Sequence, residues 1–363
     1  MQPESDGASA RIWSMLVIAY IAGAVVIALL LGALYQSLGE KSDLKRFPPP
    51  GKFVTVQNHR LHVKEMGRGG PTVVLEAGLM SSVLSWDRIQ PELAKRTRVV
   101  SYDRAGMGWS DPGPEPRNAE RIASELREML TLAEIPPPYI LVGHSFGGLT
   151  MPLFAAKFAD EVCGVLLVDP VAPVEWNPPS ERDRHRAEIG SKVCRRAAVV
   201  SHTGLLRLIA SLAQSGAKRS ANRLIGAISK GAPSDSNTTE SPWFWNLPAS
   251  ERGMAPVFWT KAKFCRAIAS QLGTLADSAA QVAAAGPLRM PLVVISAGNA
   301  SEQRRAAHAG IAAQSPSGRL VVAKKSGHWI MEDEPELVFD AVRGMTENDR
   351  EATMLARSRA SGA

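Results

Sequence analysis

One stretch of ten residues decides the fold: Tyr139-Ile140-Leu141-Val142-Gly143-His144-Ser145-Phe146-Gly147-Gly148. Its apolar start predicts a short buried strand, and the apolar run from Leu149 predicts a helix directly after it. Between them, the pattern G-x-S-x-G puts a serine on a tight turn from strand to helix, where only small neighbours tolerate the strained backbone. The helix amino end adds positive potential there. We therefore predict that Ser145 is a nucleophile, with Gly143 and Gly147 as the small residues of its turn.

The same alternation of strand and helix extends through most of the chain. The other predicted strands are Phe53–Val56, Leu61–Met66, Thr72–Glu76, Arg98–Tyr102, Val165–Val168, Leu292–Ile295 and Arg319–Val322, and helices are predicted at 118–134, 302–314 and from Pro335. Short apolar runs that alternate with amphipathic helices predict an α/β protein with a mostly parallel sheet and helices on both faces. The interval 171–290 breaks the alternation and reads as a helical insertion. It carries an aromatic group made of Trp243, Phe244, Trp245, Phe258 and Trp259.

The composition excludes several classes of protein. The 363 residues carry a net charge of +7, and 45% of them are hydrophobic, which is typical of a folded globular chain. The basic residues are scattered without an aromatic-plus-basic recognition motif, so no nucleic-acid partner is indicated. Of the three cysteines, Cys163, Cys194 and Cys265, none belongs to a CxxC or Cys/His cluster, which argues against a zinc site. A single Cys194–Cys265 bridge stays open.

The amino-terminal region predicts a membrane anchor. No charged residue occurs from Ile12 to Gly39, and this exceeds the roughly 20 residues that a helix needs to cross a bilayer. Trp13 and Tyr35 stand near the ends of the apolar run, where amphipathic rings favour the interface. The run is longer than the ~7–15 apolar residues of a cleaved signal peptide and lacks a convincing cleavage site. Arg11 precedes the apolar run and three basic residues follow it. This distribution leaves unresolved on which side of the membrane the catalytic domain lies.

These patterns divide the chain into consecutive parts. We predict an N-terminal tail (1–11), a transmembrane anchor (12–39), a linker (40–51), a catalytic core in two pieces (52–170 and 291–346), a helical insertion (171–290) and a flexible tail (347–363). The linker contains three consecutive prolines, Pro48 to Pro50, which stop the anchor helix.

Four motifs together resemble the α/β-hydrolase superfamily. They are Glu76-Ala77-Gly78-Leu79, Tyr102-Asp103-Arg104-Ala105-Gly106-Met107-Gly108-Trp109-Ser110, Gly143-His144-Ser145-Phe146-Gly147-Gly148 and Ser326-Gly327-His328-Trp329. They come in the family's order and span roughly 52–345. The resemblance is to members with a serine nucleophile and a lid between the sixth and seventh sheet strands. It implies the α/β-hydrolase fold, with 171–290 as the lid, and hydrolytic activity.

A serine nucleophile needs a base and an acid, and the acid has two candidates. A serine hydroxyl is weak at neutral pH, so a histidine must take its proton. His328 follows a strand-like run and comes late in the chain, which suits the order nucleophile, acid, base. The residues after the seventh strand include no aspartate, so we favour Asp169 at the end of the sixth strand. Glu302, at the start of the next helix, is the alternative.

The resemblance also implies an oxyanion hole, made by the backbone N–H groups of Leu79 and Phe146. Glu76 stands where many relatives have a histidine, while Asp103, Arg104 and Ser110 are expected to brace the neighbouring loop.

The function predicted from these residues is hydrolysis of a carboxylic ester through an acyl-enzyme, with lipid-like esters among the candidate substrates. Because Ser145 replaces the aspartate with which epoxide hydrolases and haloalkane dehalogenases of this fold attack, acyl transfer to serine is the expected chemistry. A carbon–carbon bond hydrolase, an aminopeptidase and a non-catalytic binding protein with the same fold remain alternatives. The absence of a Walker loop, of G-x-G-x-x-G after a strand and of HExxH predicts no cofactor and no metal. The expected partners are a small-molecule ester and the membrane, bound through 12–39.

Overall fold

The computed structural model describes residues 4–214 and 254–361. Its centre is one eight-stranded sheet with the order β1-β2-β4-β3-β5-β6-β7-β8. The strands are β1 (Lys52–Val56), β2 (His59–Met66), β3 (Thr72–Glu76), β4 (Val99–Tyr102), β5 (Tyr139–His144), β6 (Val162–Val168), β7 (Leu292–Ala297) and β8 (Arg319–Ala323). β1 pairs antiparallel with β2, and β2 pairs antiparallel with β4. All the other neighbouring strands, in the sheet order β4-β3-β5-β6-β7-β8, are parallel. This confirms the predicted mostly parallel sheet.

Helices cover both faces of the sheet. The helices before the seventh strand are α1 (Glu4–Arg46), α2 (Gln90–Leu93), α3 (Ala119–Leu132), α4 (Gly147–Lys157), α5 (Pro173–Trp176), α6 (Glu181–Ser201), α7 (Leu205–Gln214), α8 (Ala255–Trp259), α9 (Ala262–Gly273) and α10 (Leu275–Ala285). Those after it are α11 (Glu302–Ala312), α12 (Ile330–Asp333) and α13 (Pro335–Ser361). On one face α3, α4 and α11 close a buried apolar layer, and on the other α2, α12 and α13 close a second. The parallel strands β3 to β7 are therefore buried on both sides, as their largely apolar sequences require, whereas the edge strand β8 is partly exposed.

Local sequence explains how α3 forms. The side chain of Asn118 accepts a hydrogen bond from the Arg121 N–H and so caps the first turn. Ile122, Leu126 and Met129 then recur at helical spacing and are buried, Leu126 and Met129 against the sheet and Ile122 against α4 and α10. The capping residue and the apolar stripe together set both the start of the helix and its orientation.

The segment between the sixth and seventh strands is helical where the structure describes it, from α5 to α10. Helix α6 packs along α9, and α10 packs on α3 and α4 of the core. The predicted aromatic group is only partly described: Phe258 and Trp259 lie in α8, whereas Trp243, Phe244 and Trp245 fall outside the described residues.

Two helices run across the predicted segment boundaries. Helix α1 begins at Glu4 and continues to Arg46, beyond the predicted 12–39, because nothing breaks the helix before Pro48. Helix α13 runs through Ser361, where we predicted a flexible tail over 347–363. Residues 345–361 contain neither glycine nor proline, so the backbone has no reason to leave the helix there.

Candidate active site

The turn between β5 and α4 holds Ser145 in a rare backbone conformation. Its φ is +53°, in the left-handed region that residues with a side chain seldom adopt. The backbone around it is fully bonded: the Ser145 N–H donates to the Val168 carbonyl at 3.0 Å, and the Ser145 carbonyl accepts from the N–H groups of Gly148 at 2.9 Å and Val171 at 2.8 Å. These three bonds over-determine the strained turn, which is how such strain persists at functional sites.

The two predicted turn glycines lie where no larger residue fits. A Cβ added at Gly143 would stand 2.6 Å from the carbonyl oxygen of Gly147. A Cβ at Gly147 would stand 3.0 Å from the side chain of Glu76, at the end of β3. Neither contact involves a group that could move away easily, because each neighbour is backbone or a buried side chain. Glycine is therefore needed at these two positions because neighbouring atoms approach the backbone too closely for a side chain.

Asp169 and His328 are in direct contact. The Oδ2 of Asp169 lies 2.6 Å from Nδ1 of His328, and its Oδ1 accepts the Ala297 N–H at 3.1 Å. Asp169 is 3% exposed. Burial alone raises the pKa of its carboxyl, but the hydrogen bond and charge of His328 and the bond from Ala297 more than offset this, so its pKa lies below the usual value. The carboxyl is ionised at neutral pH and faces the imidazole.

The alternative acid occupies a different position. Glu302 is the first residue of α11, where its carboxylate is exposed and lies at the positive end of the helix. Among the contacts of the described residues, none joins Glu302 to His328. The structure therefore brings Asp169, and not Glu302, to the histidine.

Ser145 and His328 lie at the same edge of the sheet, on either side of His144. The ring of His144 is 4.5 Å from the ring of His328, centroid to centroid, and its Nε2 lies 2.9 Å from the His328 carbonyl oxygen. Within residues 4–214 and 254–361, the Ser145 hydroxyl makes no hydrogen bond to the imidazole. Catalytic bonds of this kind are often long before substrate binds and shorten in the complex.

His144, next to Ser145, lies in surroundings that disfavour its protonated form. It is completely buried, and this burial lowers its pKa to about 3, so the ring stays neutral throughout the physiological range. Its Nδ1 lies 2.9 Å from the position that a Cβ on Gly78 would take. The ring of His144 thus packs between the Ser145 turn and the loop that carries His328.

The two N–H groups predicted to bind an oxyanion flank Ser145. A Cβ at Gly78 would stand 3.2 Å from the Ser145 Cβ, so the loop that leads to Leu79 runs directly over the serine. Phe146 precedes the first turn of α4, where backbone N–H groups have no partner within the helix. Neither the Leu79 nor the Phe146 N–H donates a hydrogen bond in the described part of the chain. Whether they bind an oxyanion is part of the function proposed below.

A buried charge cluster supports this loop, and sequence reasoning did not predict its contacts. The guanidinium of Arg104 donates to Glu76 Oε1 at 2.6 Å, to the Ala77 carbonyl at 2.5 Å and to the Gly78 carbonyl at 2.6 Å. Tyr102 also donates to Glu76, and burial together with this carboxylate raises the pKa of the phenol well above its usual value. The available signal was topological: β3 and β4 are parallel neighbours, so the charged residues that follow them meet at one edge.

A second unpredicted residue lies behind the acid. His308 on α11 is fully buried, with Nδ1 2.9 Å from the Ser296 hydroxyl and Nε2 2.9 Å from the Pro170 carbonyl. Pro170 follows Asp169 directly, so this bond fixes the chain on the far side of the acid. The signal for it was a histidine at a core position of a predicted helix.

Cysteines and metal ligands add nothing to this site. Cys163, Cys194 and Cys265 are free thiols, so the Cys194–Cys265 bridge left open by the sequence is not formed. In the described ranges, no group of three or more His, Cys, Asp or Glu side chains could hold a metal ion.

Comparisons with known proteins agree with this geometry at the level of the fold. Residues 73–341 match a family model described as the alpha/beta hydrolase family. The chain is 35% identical to the uncharacterized protein YqjL of Bacillus subtilis over 120 residues, which is 33% of this chain and 47% of YqjL. It spans about half the length, or less, of the first curated relatives that it matches.

Two solved structures illustrate the similarity. A malate-bound thermophilic esterase from Thermogutta terrifontis is 21% identical with a TM-score of 0.58, over 82% of this chain and 98% of that one. The epoxide hydrolase CorEH is 19% identical with a TM-score of 0.52, over 81% of this chain and 97% of that one. At these identities the likeness extends to the fold alone.

Proposed function

This chain belongs to the alpha/beta hydrolase family, and from that premise we propose that it is a membrane-anchored serine hydrolase that cleaves a carboxylic ester through an acyl-enzyme intermediate. The observation that carries the proposal is the 2.6 Å contact between Asp169 and His328 at the sheet edge where Ser145 stands at φ +53°. A serine on a strained turn, beside a histidine whose other nitrogen faces an ionised carboxylate, is the arrangement that activates a hydroxyl.

The proposed reaction begins at the ester carbonyl. The Oγ of Ser145 attacks the carbonyl carbon while Nε2 of His328 takes the hydroxyl proton. The negative charge moves to the carbonyl oxygen, which accepts hydrogen bonds from the N–H groups of Leu79 and Phe146. The imidazolium then gives its proton to the leaving alcohol, and the acyl group stays on Ser145. Water, deprotonated by the same histidine, releases the carboxylic acid and restores the serine.

Asp169 has a positioning role in this scheme. Its carboxylate fixes the tautomer in which Nδ1 of His328 carries the proton, leaving Nε2 free to accept one. It also stabilises the imidazolium that forms at the barrier. Because Asp169 is held by the Ala297 N–H and by the chain bonds around it, the geometry is set before substrate binds.

We further propose that the helical segment 171–290 is a lid over the site. Residues of this segment, including Leu272 and Leu275, pack in apolar clusters that contain Leu79 and Phe146. The indole Nε1 of Trp259 lies 3.4 Å from the Met80 carbonyl, next to the proposed oxyanion donor. A cover of this kind excludes water and supplies apolar walls for an acyl chain.

The anchor is part of the same proposal. Within the described residues, one helix segment, Arg11–Arg46, is long and apolar enough to cross a membrane. Its apolar side chains are exposed, as a lipid-facing helix requires and a core helix does not. Such a segment would make the enzyme single-pass and would favour substrates that partition into lipid.

Labelling with a fluorophosphonate probe tests the proposed nucleophile. We expect the full-length protein to react covalently at Ser145 and the Ser145→Ala variant to stay unlabelled. Ser124→Ala is the matched control, because Ser124 is exposed on α3, away from the site, and should label like the unmodified protein. A folded protein that does not react at all would point to a binding protein that has kept the fold without the activity.

Substrate class can be tested with p-nitrophenyl esters of increasing acyl length in mixed micelles. We expect turnover per bound substrate to rise from short to long chains, because an apolar lid and a membrane anchor both favour lipid-like acyl groups. Equal or falling activity with chain length would remove the lipid-like substrate from the proposal and leave ester hydrolysis intact.

A further inference from the structure

The lower part of α1 is packed firmly on the helical segment between β6 and β7. Gly32 lies against the corner between α6 and α7, formed by Thr203 and Gly204, and a Cβ at Gly32 would overlap the Thr203 carbonyl oxygen. Gly204 has φ +72°, and a Cβ added there would stand 2.5 Å from the Gly32 carbonyl oxygen. Glycine on both sides lets the two backbones approach to contact, as in closely packed membrane helices.

Polar bonds continue this contact along α1. Asp43 and Arg207 form an ion pair at 2.6 Å, with side chains only 14% and 12% exposed. The side chain of Gln36, 6% exposed, donates to the Thr260 carbonyl at 3.1 Å and accepts from Arg207 at 3.3 Å. A largely buried ion pair that is also hydrogen-bonded holds its geometry far better than exposed pairs do. Helix α1 is therefore joined rigidly to the rest of the described protein, residues 52–214 and 254–361, which we call the catalytic body. It does not lead into that body through a flexible linker.

Above this joint, α1 has the length of a bilayer. Twenty uncharged residues, Ile12 to Leu31, separate Arg11 from the first contact at Gly32. At about 1.5 Å per residue they span about 30 Å, the thickness of the hydrocarbon layer. Tyr35, 42% exposed, lies just beyond this span, at the level where tyrosine rings favour the interface.

The corner between α6 and α7 must then lie at the membrane surface. Val199 and Leu208 flank it, one helical turn before Thr203 and one turn after Gly204. Both are apolar and exposed, at 69% and 46%. Because the corner itself packs on Gly32, we consider these two exposed side chains together with the exposed apolar part of α1 that ends there, as one apolar edge.

We propose that a phospholipid surface binds this edge, with Val199 and Leu208 inserted at the level of the headgroups and upper acyl chains. The proposal rests on the anchor proposed above and goes beyond it, because an anchor alone would leave the body free in water. Contact at this edge also brings the bilayer close to the candidate active site. The Thr260 carbonyl accepts a hydrogen bond from α1, and the indole of the neighbouring Trp259 donates to the loop after β3. An amphiphilic ester could reach that loop without leaving the membrane surface.

The experiment uses the full-length protein in phosphatidylcholine vesicles that contain spin-labelled lipid. Val199→Cys and Leu208→Cys are each labelled with an environment-sensitive fluorophore, and the unmodified protein, labelled in parallel, gives the background from its three native thiols. Leu132→Cys is the matched control, because Leu132 is an exposed leucine at 55% at the end of α3, on the opposite edge of the sheet. Substitutions at such exposed positions should not affect folding, and thermal unfolding checks this.

We expect the probes at 199 and 208 to lose most of their emission to the spin-labelled lipid, and the probe at 132 to lose none. If all three probes stay equally bright while the protein floats with the vesicles, the anchor stands and the lipid-binding edge does not. A blue shift at 208 without quenching would mean that protein, such as a second copy of the chain, covers the edge, and would overturn the lipid assignment. Failure of the protein to float would reject the anchor and this proposal together.

Discussion

The guanidinium of Arg104 lies over the ring of Phe146, with Cζ 5.1 Å from the ring centroid, while its Nη2 donates to the Gly78 carbonyl. The carbonyl of Gly78 and the N–H of Leu79 belong to one planar trans peptide unit and point in opposite directions. By holding the carbonyl, Arg104 turns the Leu79 N–H away from itself. One buried side chain thus contacts Phe146 and the peptide unit that carries the Leu79 N–H, so it touches both parts of the proposed oxyanion site.

Arg104→Lys should therefore lower kcat much more than it raises KM. Lysine keeps the charge beside Glu76 but cannot donate to two carbonyls in a fixed fork. Since loss of one oxyanion donor costs about 10²- to 10³-fold in kcat, misalignment of one should cost about 10- to 100-fold. Steady-state kinetics on a soluble ester measure both constants, and binding of a phosphonate transition-state analogue should weaken in parallel with kcat.

The control for Arg104 is Arg60→Lys. Arg60 also makes a double contact with a carboxylate, Asp111, but its side chain is 55% exposed, so the change should leave kinetics unaltered. A rise in KM at constant kcat in Arg104→Lys would show that Arg104 supports ground-state binding and does not position the oxyanion donors.

Asp169→Asn should reduce kcat by about 10³- to 10⁴-fold, because an amide donates where the carboxylate accepts and thereby favours the wrong tautomer of His328. Glu302→Gln is the matched change at the competing acid and should leave turnover within about twofold, since its side chain is exposed away from the histidine. Ester hydrolysis and the rate of fluorophosphonate labelling both report the effect. If Glu302→Gln is the damaging change instead, Asp169 is not the acid.

Local sequence was enough to predict the fold. The runs at β3, β5, β6 and β7 are mostly apolar and are buried almost completely in the structure, which is the pattern typical of strands covered on both faces. The turn at Ser145 was equally visible, because its conformation demands glycine at fixed spacing on both sides.

Contacts between distant segments could not be predicted in this way. The sequence left Asp169 and Glu302 as rival acids because both follow strands at the same sheet edge, and only the path of the loop before His328 separates them. Arg104 was expected to brace a loop, but its bonds to the Gly78 carbonyl join residues 26 apart in the chain. The packing of Gly32 on Gly204 depends on backbone proximity, which leaves no periodic pattern in either segment.

Acid should destabilise the protein partly through His144. The pKa of this buried ring is about 3, against an ordinary value of 6.5, so between these pH values the unfolded chain binds a proton that the folded chain does not. Stability therefore falls as pH drops below 6.5, by up to about 1.4 kcal/mol per pH unit from this group. His144→Gln should lose less stability than the unmodified protein between pH 6.5 and about pH 5, as measured by urea unfolding.

His185→Gln provides the comparison for His144, because His185 is exposed on α6 and removing it should leave the pH dependence as it was. Identical slopes for the unmodified protein and His144→Gln would mean that the ring takes up its proton as readily in the folded chain as in the unfolded one.

The joint between α1 and the catalytic body can be tested with two glycines of the same helix. Gly32→Leu should loosen the joint, because its side chain would occupy the space of the Thr203 carbonyl, and overpacking of this kind costs about 1–3 kcal/mol. Gly23→Leu makes the same change nine residues earlier, where nothing lies within 4 Å, and should be tolerated. Hydrogen exchange in detergent should be faster over 203–212 in Gly32→Leu alone. Equal exchange in both variants would mean that the anchor and the catalytic body are not held together at Gly32. The body would then be connected to the anchor only through the Pro48–Pro50 linker.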